Sequence, residues 1–220
     1  TRRPNWNSRA MKILDSNKNY FYTELDKIIK KRKTIDRSSL REVKKIMDNV
    51  RRNKDRALIF YEKKFNFNSQ IIPTKKEILK AINKLDPKIK NSIQEIFKRV
   101  KKWHSKQKPK DIFYMDESKN KFYYKNKPIE SVACYVPGNL PSSLIMSATP
   151  AIISGVKRIV LCTPSLDGKL NGGVYYAAKK LGIKEYYSLG GASAVMALAM
   201  GTKKVRAVNK IVGPGSKWVA

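Results

Sequence analysis

The chain has 220 residues, 41% of them hydrophobic and 30% charged, enough apolar material for a packed core and too much for a wholly disordered polymer. Two cysteines, Cys134 and Cys162, are too few for a disulfide scaffold, and a single histidine, His104, argues against a metal site built from this segment alone. No run reaches the roughly 18 apolar residues that a membrane helix needs, and with no apolar signal core at the N-terminus the expectation is a cytoplasmic protein.

Forty-eight Lys and Arg against 17 Asp and Glu give a net charge of +31. The charge is uneven: residues 133–220 carry 11 basic and 2 acidic side chains, residues 1–132 carry 37 and 15. Two readings stand. Clustered Lys and Arg suit a polyanion. Lysine that travels with Asn, Ile and Tyr is also what compositional drift produces, leaving solvated faces with no partner.

In chain order, Ser39 with Glu42 three residues later has the spacing of a capping box. Val43, Ile46, Met47 and Val50 then fall at helical spacing, with Asn53 as a stop. Residues 56–65, with Ala57, Leu58, Tyr61 and Phe65, predict a second helix. Thr74 with Glu77 opens a third, and Asp86–Pro87 opens a long fourth that ends before Pro109. Residues 113–115 and 121–124 predict two strands with a turn at 118–120. After about residue 130 the pattern alternates. Apolar strands are predicted at 133–136, 158–163, 185–189 and 210–212, and helices at 142–154, 172–181 and 192–200, with Pro150 as a kink. Strands separated by single helices indicate a parallel sheet. The fold class is therefore α/β: a Rossmann-like parallel sheet with flanking helices over residues 133–220, preceded over residues 1–132 by a mainly helical region with a small β-hairpin.

Three strand ends carry Gly-rich turns: Tyr135–Gly138, Leu189–Ala192 and Val212–Gly215. Ligands of open α/β sheets lie beyond the carboxyl ends of the strands. Glycine there admits close backbone approach, and a following helix N-terminus favours anionic groups. Each turn alone is also what a tight βα connection requires. Tyr135 is either a platform for a ligand ring or an aromatic at the edge of the core. His104 reads as a surface or packing histidine. Cys134 and Cys162 read as buried, unreactive thiols.

The run Tyr135-Val136-Pro137-Gly138, the stretches 141–146, 148–151 and 155–157, Ile159 to Pro164, Gly190-Gly191-Ala192, 197–199, Gly201-Thr202 and Lys210 to Gly215 resemble histidinol dehydrogenase in register. Residues 50–65 and Trp103-His104 with Gln107 resemble the same family more loosely. The resemblance implies a zinc-dependent, homodimeric, NAD-linked enzyme of histidine biosynthesis, which oxidises L-histidinol to L-histidine in two hydride transfers through an aldehyde. It implies cofactor contacts at Tyr135, Ser193 and Ser216; the family has Gln where this chain has Ser193 and Asn where it has Ser216. The family's second turn glycine is Asn139 here, in a shorter loop. The family's zinc ligands and its Glu-His pair fall downstream of residue 220. The chain is thus expected to be the N-terminal part of a longer protein and inactive by itself. No membrane or nucleic-acid partner is expected. The alternatives are a paralogue that oxidises another small alcohol, and a non-catalytic polyanion-binding protein on the same scaffold.

Overall fold

The computed structural model describes residues 14–33 and 37–215. The chain divides into two compact units, residues 1–41 and 42–220. In the first, α1 (Phe21–Lys33) carries an ion pair between Lys27 and Glu24 one turn apart, 2.7 Å. Ser216, one of the expected cofactor contacts, lies outside the described residues.

Four helices lead into the sheet of the second unit: α2 (Arg37–Asn53), α3 (Asp55–Asn66), α4 (Lys75–Asn83) and α5 (Pro87–Ser105). Thr74 and Glu77 form the expected capping box: the Glu77 N–H donates to Thr74 Oγ1 at 3.2 Å, and the Thr74 N–H donates to Glu77 Oε2 at 2.8 Å. Asp86 caps α5 through the Lys88 N–H at 2.7 Å, with Pro87 at the first helical position. The expected capping box at Ser39 does not form. Arg37 is already helical, so Ser39 sits inside the first turn and not at a cap position, which is non-helical.

A two-stranded antiparallel hairpin follows, β1 (Ile112–Met115) with β2 (Lys121–Tyr124), turning through Lys119 at φ 63°. Asp116 closes that turn by accepting the Asn120 N–H at 2.7 Å. The remainder is β3 (Ser131–Tyr135), α6 (Pro141–Ser154), β4 (Arg158–Cys162), α7 (Gly172–Lys180), β5 (Glu185–Tyr187), α8 (Gly191–Met200) and β6 (Lys210–Val212). All four strands are parallel, in the order β5-β4-β3-β6. The chain moves outward from β3 to β5, then returns past β4 and β3 to place β6 on the far side, so the strand order reverses at β3.

The strands read as continuous apolar runs because both faces are covered. Ala133, Tyr135, Val160, Cys162 and Tyr187 point to one core, with Val50 of α2, Leu58 and Tyr61 of α3 and Leu198 of α8. Cys134 and Leu161 point to the other, with Ile78 and Ile82 of α4, Ile93 of α5, Leu144 of α6 and Tyr175 of α7. The Lys-rich helices upstream of the composition change thus bury the same sheet as α6–α8, within one compact unit.

At the amino edge of the sheet Arg158 makes a two-pronged pair with Glu185 on the neighbouring strand, Nε to Oε2 at 2.8 Å and Nη2 to Oε1 at 2.7 Å. The same guanidinium donates to the carbonyls of Ala207 at 2.6 Å and Arg206 at 3.1 Å, which ties β4 and β5 to the approach to β6.

Candidate functional site

The carboxyl edge of the sheet opens into a cavity of about 330 Å³ lined by Glu42 and Ile46 of α2, Phe65 and Asn66 at the end of α3, Tyr135, Pro164 and the 190–193 turn. That size, near the lower end of small-molecule sites, holds a nucleoside rather than a whole dinucleotide. The wall is mostly apolar. Despite the +31 net charge, no Lys or Arg lines it among the described residues.

The turn from β5 into α8 forms the floor. Gly190 is the N-cap of α8. A Cβ there would stand 2.9 Å from Pro164 Cβ and 3.1 Å from Asn66 Nδ2, so close approach of two walls requires a glycine. Gly191 has φ 64°, a left-handed conformation that side chains resist, and a Cβ on it would meet nothing within 4 Å. The start of the helix therefore faces open space, as a cradle for a ligand requires.

Both amides of the turn are held by the protein. The Gly191 N–H donates to Tyr135 Oη at 3.0 Å, and the Gly190 N–H donates to Glu62 Oε1 at 2.8 Å. Tyr135 ends β3 only 8% exposed and packed into the core, so its hydroxyl pins the turn while the residue also lines the cavity. Burial raises its pKa. Ser193 also lines the cavity, but it is buried and its hydroxyl donates back to the Gly190 carbonyl at 2.9 Å. That leaves its oxygen as an acceptor only.

The three Gly-rich turns share this edge without contributing equally. Gly138 lies against the Pro164 carbonyl and Leu166, where a Cβ would come within 2.7 Å, and does not line the cavity. Gly213, at φ 145°, packs against the backbone of Tyr135, with 1.9 Å between its would-be Cβ and the Tyr135 carbonyl oxygen. The turn after β6 therefore braces the residue that the cavity uses. His104, in the last turn of α5, has its Nδ1 2.6 Å from Gln107 Oε1 and does not line this cavity. Both cysteines are free and buried, and burial pushes Cys134 up to about 11 and Cys162 higher still.

Glu62 is the residue that pattern-reading passed over. It is fully buried, and desolvation raises its pKa from 4.5 to about 7, against the pull of its bonds from Gly190 and Asn66. The signal was present: Leu58, Tyr61, Glu62 and Phe65 share one helical stripe, and a carboxylate on a core stripe is out of place. Glu42, Ile46 and Asn66 carried no comparable mark, since only the packing of α2 and α3 over the sheet edge brings them to the cavity.

The sequence model of the family described as histidinol dehydrogenase matches residues 29–220. The chain belongs to the histidinol dehydrogenase family. Every residue that lines the cavity lies within the matched stretch. The chain is 50% identical over 213 residues to histidinol dehydrogenase of Pelagibacter ubique (strain HTCC1062), covering 96% of this chain and 50% of that protein. With histidinol dehydrogenase of Gluconobacter oxydans (strain 621H) it shares 35% over 219 residues, again 96% of this chain and 50% of the relative. The crystal structure of histidinol dehydrogenase from Elizabethkingia anophelis superposes with a TM-score of 0.77 at 32% identity, over 82% of this chain and 43% of that one. The chain spans about half the length of the curated relatives it matches.

Proposed function

We propose that this chain is the N-terminal part of a zinc-dependent, NAD-linked histidinol dehydrogenase of histidine biosynthesis, a cytoplasmic homodimer in its full-length form, and that the cavity at the carboxyl edge receives one nucleoside end of NAD. Residues 133–220 are the Rossmann-like cofactor-binding portion, and residues 1–132 the helical portion with the hairpin. The observation that carries the reading is the convergence of Tyr135 and the open Gly190–Ser193 turn on one cavity beyond the strand ends, in a chain of this family.

NAD⁺, when bound, would supply the hydride acceptor, one molecule for the alcohol and a second for the hydrated aldehyde. The residues here bind and orient. Tyr135 presents a fixed aromatic edge, Phe65 and Ile46 supply apolar wall for a planar ring, and Ser193 offers an acceptor oxygen. With Gln and Asn exchanged for Ser193 and Ser216, each position keeps a hydroxyl and loses the reach of an amide; each hydrogen bond lost weakens the cofactor by about fivefold. No group of three or more His, Cys, Asp or Glu side chains converges among the described residues. The donors present here do not fit zinc, so we place its ligands downstream of residue 220 and route no step through it.

The test is turnover by the intact protein with zinc. Histidinol-dependent formation of NADH is the expected result, and its absence overturns the reading. Residues 1–220 alone are expected to give no turnover, and activity from that piece would show that the site is placed wrongly.

A further inference from the structure

Glu62 is a buried carboxylate with no cation among the groups that perturb it. It accepts from the Gly190 N–H and, through its other oxygen, from Asn66 Nδ2 at 2.8 Å. Gly190 caps α8, so the carboxylate occupies the electropositive end of that helix from inside the protein. Asn66 is at the same time part of the cavity wall. With one N–H of its NH2 group bonded to Glu62, the amide turns its carbonyl, an acceptor, to the side away from Glu62. An ionised carboxylate can only accept, whereas a protonated one also donates. The group that fixes Gly190 therefore also selects which end of the Asn66 amide it holds.

We propose that Glu62 is a positioning residue of the cavity: it fixes the Gly190–Gly191 turn and the orientation of the Asn66 amide, and so determines whether the wall offers an acceptor or a donor to a bound nucleotide. The identity of the ligand rests on the NAD reading above; the latch itself does not. Among the described residues, the titratable groups beside Glu62 are Tyr135 from β3 and Cys162 from β4, and Glu42 of α2 lines the same cavity as Asn66. Burial pushes Tyr135 and Cys162 upward, so both stay neutral near pH 7 while Glu62, with a pKa of about 7, changes charge. When ionised it holds the Asn66 NH2 and leaves the carbonyl to the cavity. When protonated it donates to the Asn66 carbonyl, and the amide turns its NH2 outward. A nucleotide offers many acceptor oxygens, so the protonated form binds it better, by about fivefold for one hydrogen bond.

The experiment uses the intact protein labelled with ¹⁵N-glycine and ¹⁵N-asparagine, titrated from about pH 5.5 to about pH 8.5 without ligand. The Gly190 amide and the Asn66 side-chain amide are expected to shift together with a midpoint near 7, and to stay fixed in Glu62→Gln. NAD⁺ binding is then measured at about pH 6 and about pH 8. The wild type is expected to bind about fivefold more weakly at the higher pH, and Glu62→Gln equally at both. Fixed resonances in the wild type, or equal shifts in Glu62→Gln, overturn the proposal. So do shifting resonances with NAD⁺ affinity unchanged between the two pH values. Shifting resonances with no NAD⁺ binding at either pH uphold the latch and remove the NAD reading instead. If Glu62→Gln does not fold, Asn66→Ala serves: the Gly190 amide still titrates, and the pH dependence of NAD⁺ binding is lost; its persistence in Asn66→Ala overturns the proposal.

Discussion

Glu62 couples pH to stability as well as to the cavity. Its pKa is about 7 when folded and 4.5 ordinarily. Below 4.5 the group is protonated in both states and its burial is tolerated. Between 4.5 and 7 the unfolded chain has released the proton while the folded chain keeps it, so the folded state loses ground until pH passes 7, where the loss levels off at about 3 kcal/mol. Glu62→Gln cannot ionise and escapes this loss. Its stability relative to wild type, followed by urea unfolding, is expected to rise by about that amount between about pH 5 and about pH 8; a constant difference would show that the carboxylate is not buried as described. Gly213 gives a second residue-level prediction. Gly213→Ala drives a methyl group into the Tyr135 carbonyl at a φ of 145°, and is expected to destabilise by about 3 kcal/mol or more in the same assay. From sequence, Gly213 marks a turn; that it braces Tyr135 follows only from β6 pairing with β3, a contact between residues far apart in the chain.

At the level of elements, legibility follows how local the cause is. Thr74–Glu77 and Asp86–Pro87 were readable because each cap is complete within four residues. Ser39–Glu42 has the same spacing and fails, since α2 begins at Arg37 and takes Ser39 into its first turn. The four parallel strands were readable from apolar runs, with ends shifted by one or two residues. Their order was not, because nothing in a strand's own residues states its neighbour. Arg158 and Glu185 join strands 27 positions apart in sequence through a planar fork. Arg158→Lys keeps the charge but not the fork or the bonds to the 206 and 207 carbonyls. It is expected to cost about 1–2 kcal/mol, seen as a fall of several degrees in Tm. An unchanged Tm would mean that the pair does not lock β4 to β5.

At the scale of the molecule, the charge distribution and the site part company. The lysines dominate the composition, yet among the described residues the cavity has no cation in its wall, a carboxylate in Glu42 and another behind it in Glu62. The sequence marked the floor of this cavity through Tyr135 and Gly190–Ser193, and left its roof unmarked, since α2 and α3 are brought over the sheet edge by the core they share with β3 and β4. Ala192, at the cavity floor, is the position from which to test whether one nucleoside end of NAD seats here. The direct measurement is the NAD⁺ affinity of the intact protein carrying Ala192→Trp, whose indole fills the space, beside wild type, with thermal unfolding as the check on folding. A loss of tenfold or more in affinity with Tm retained is the predicted result. Equal affinity in a folded Ala192→Trp protein would contradict it.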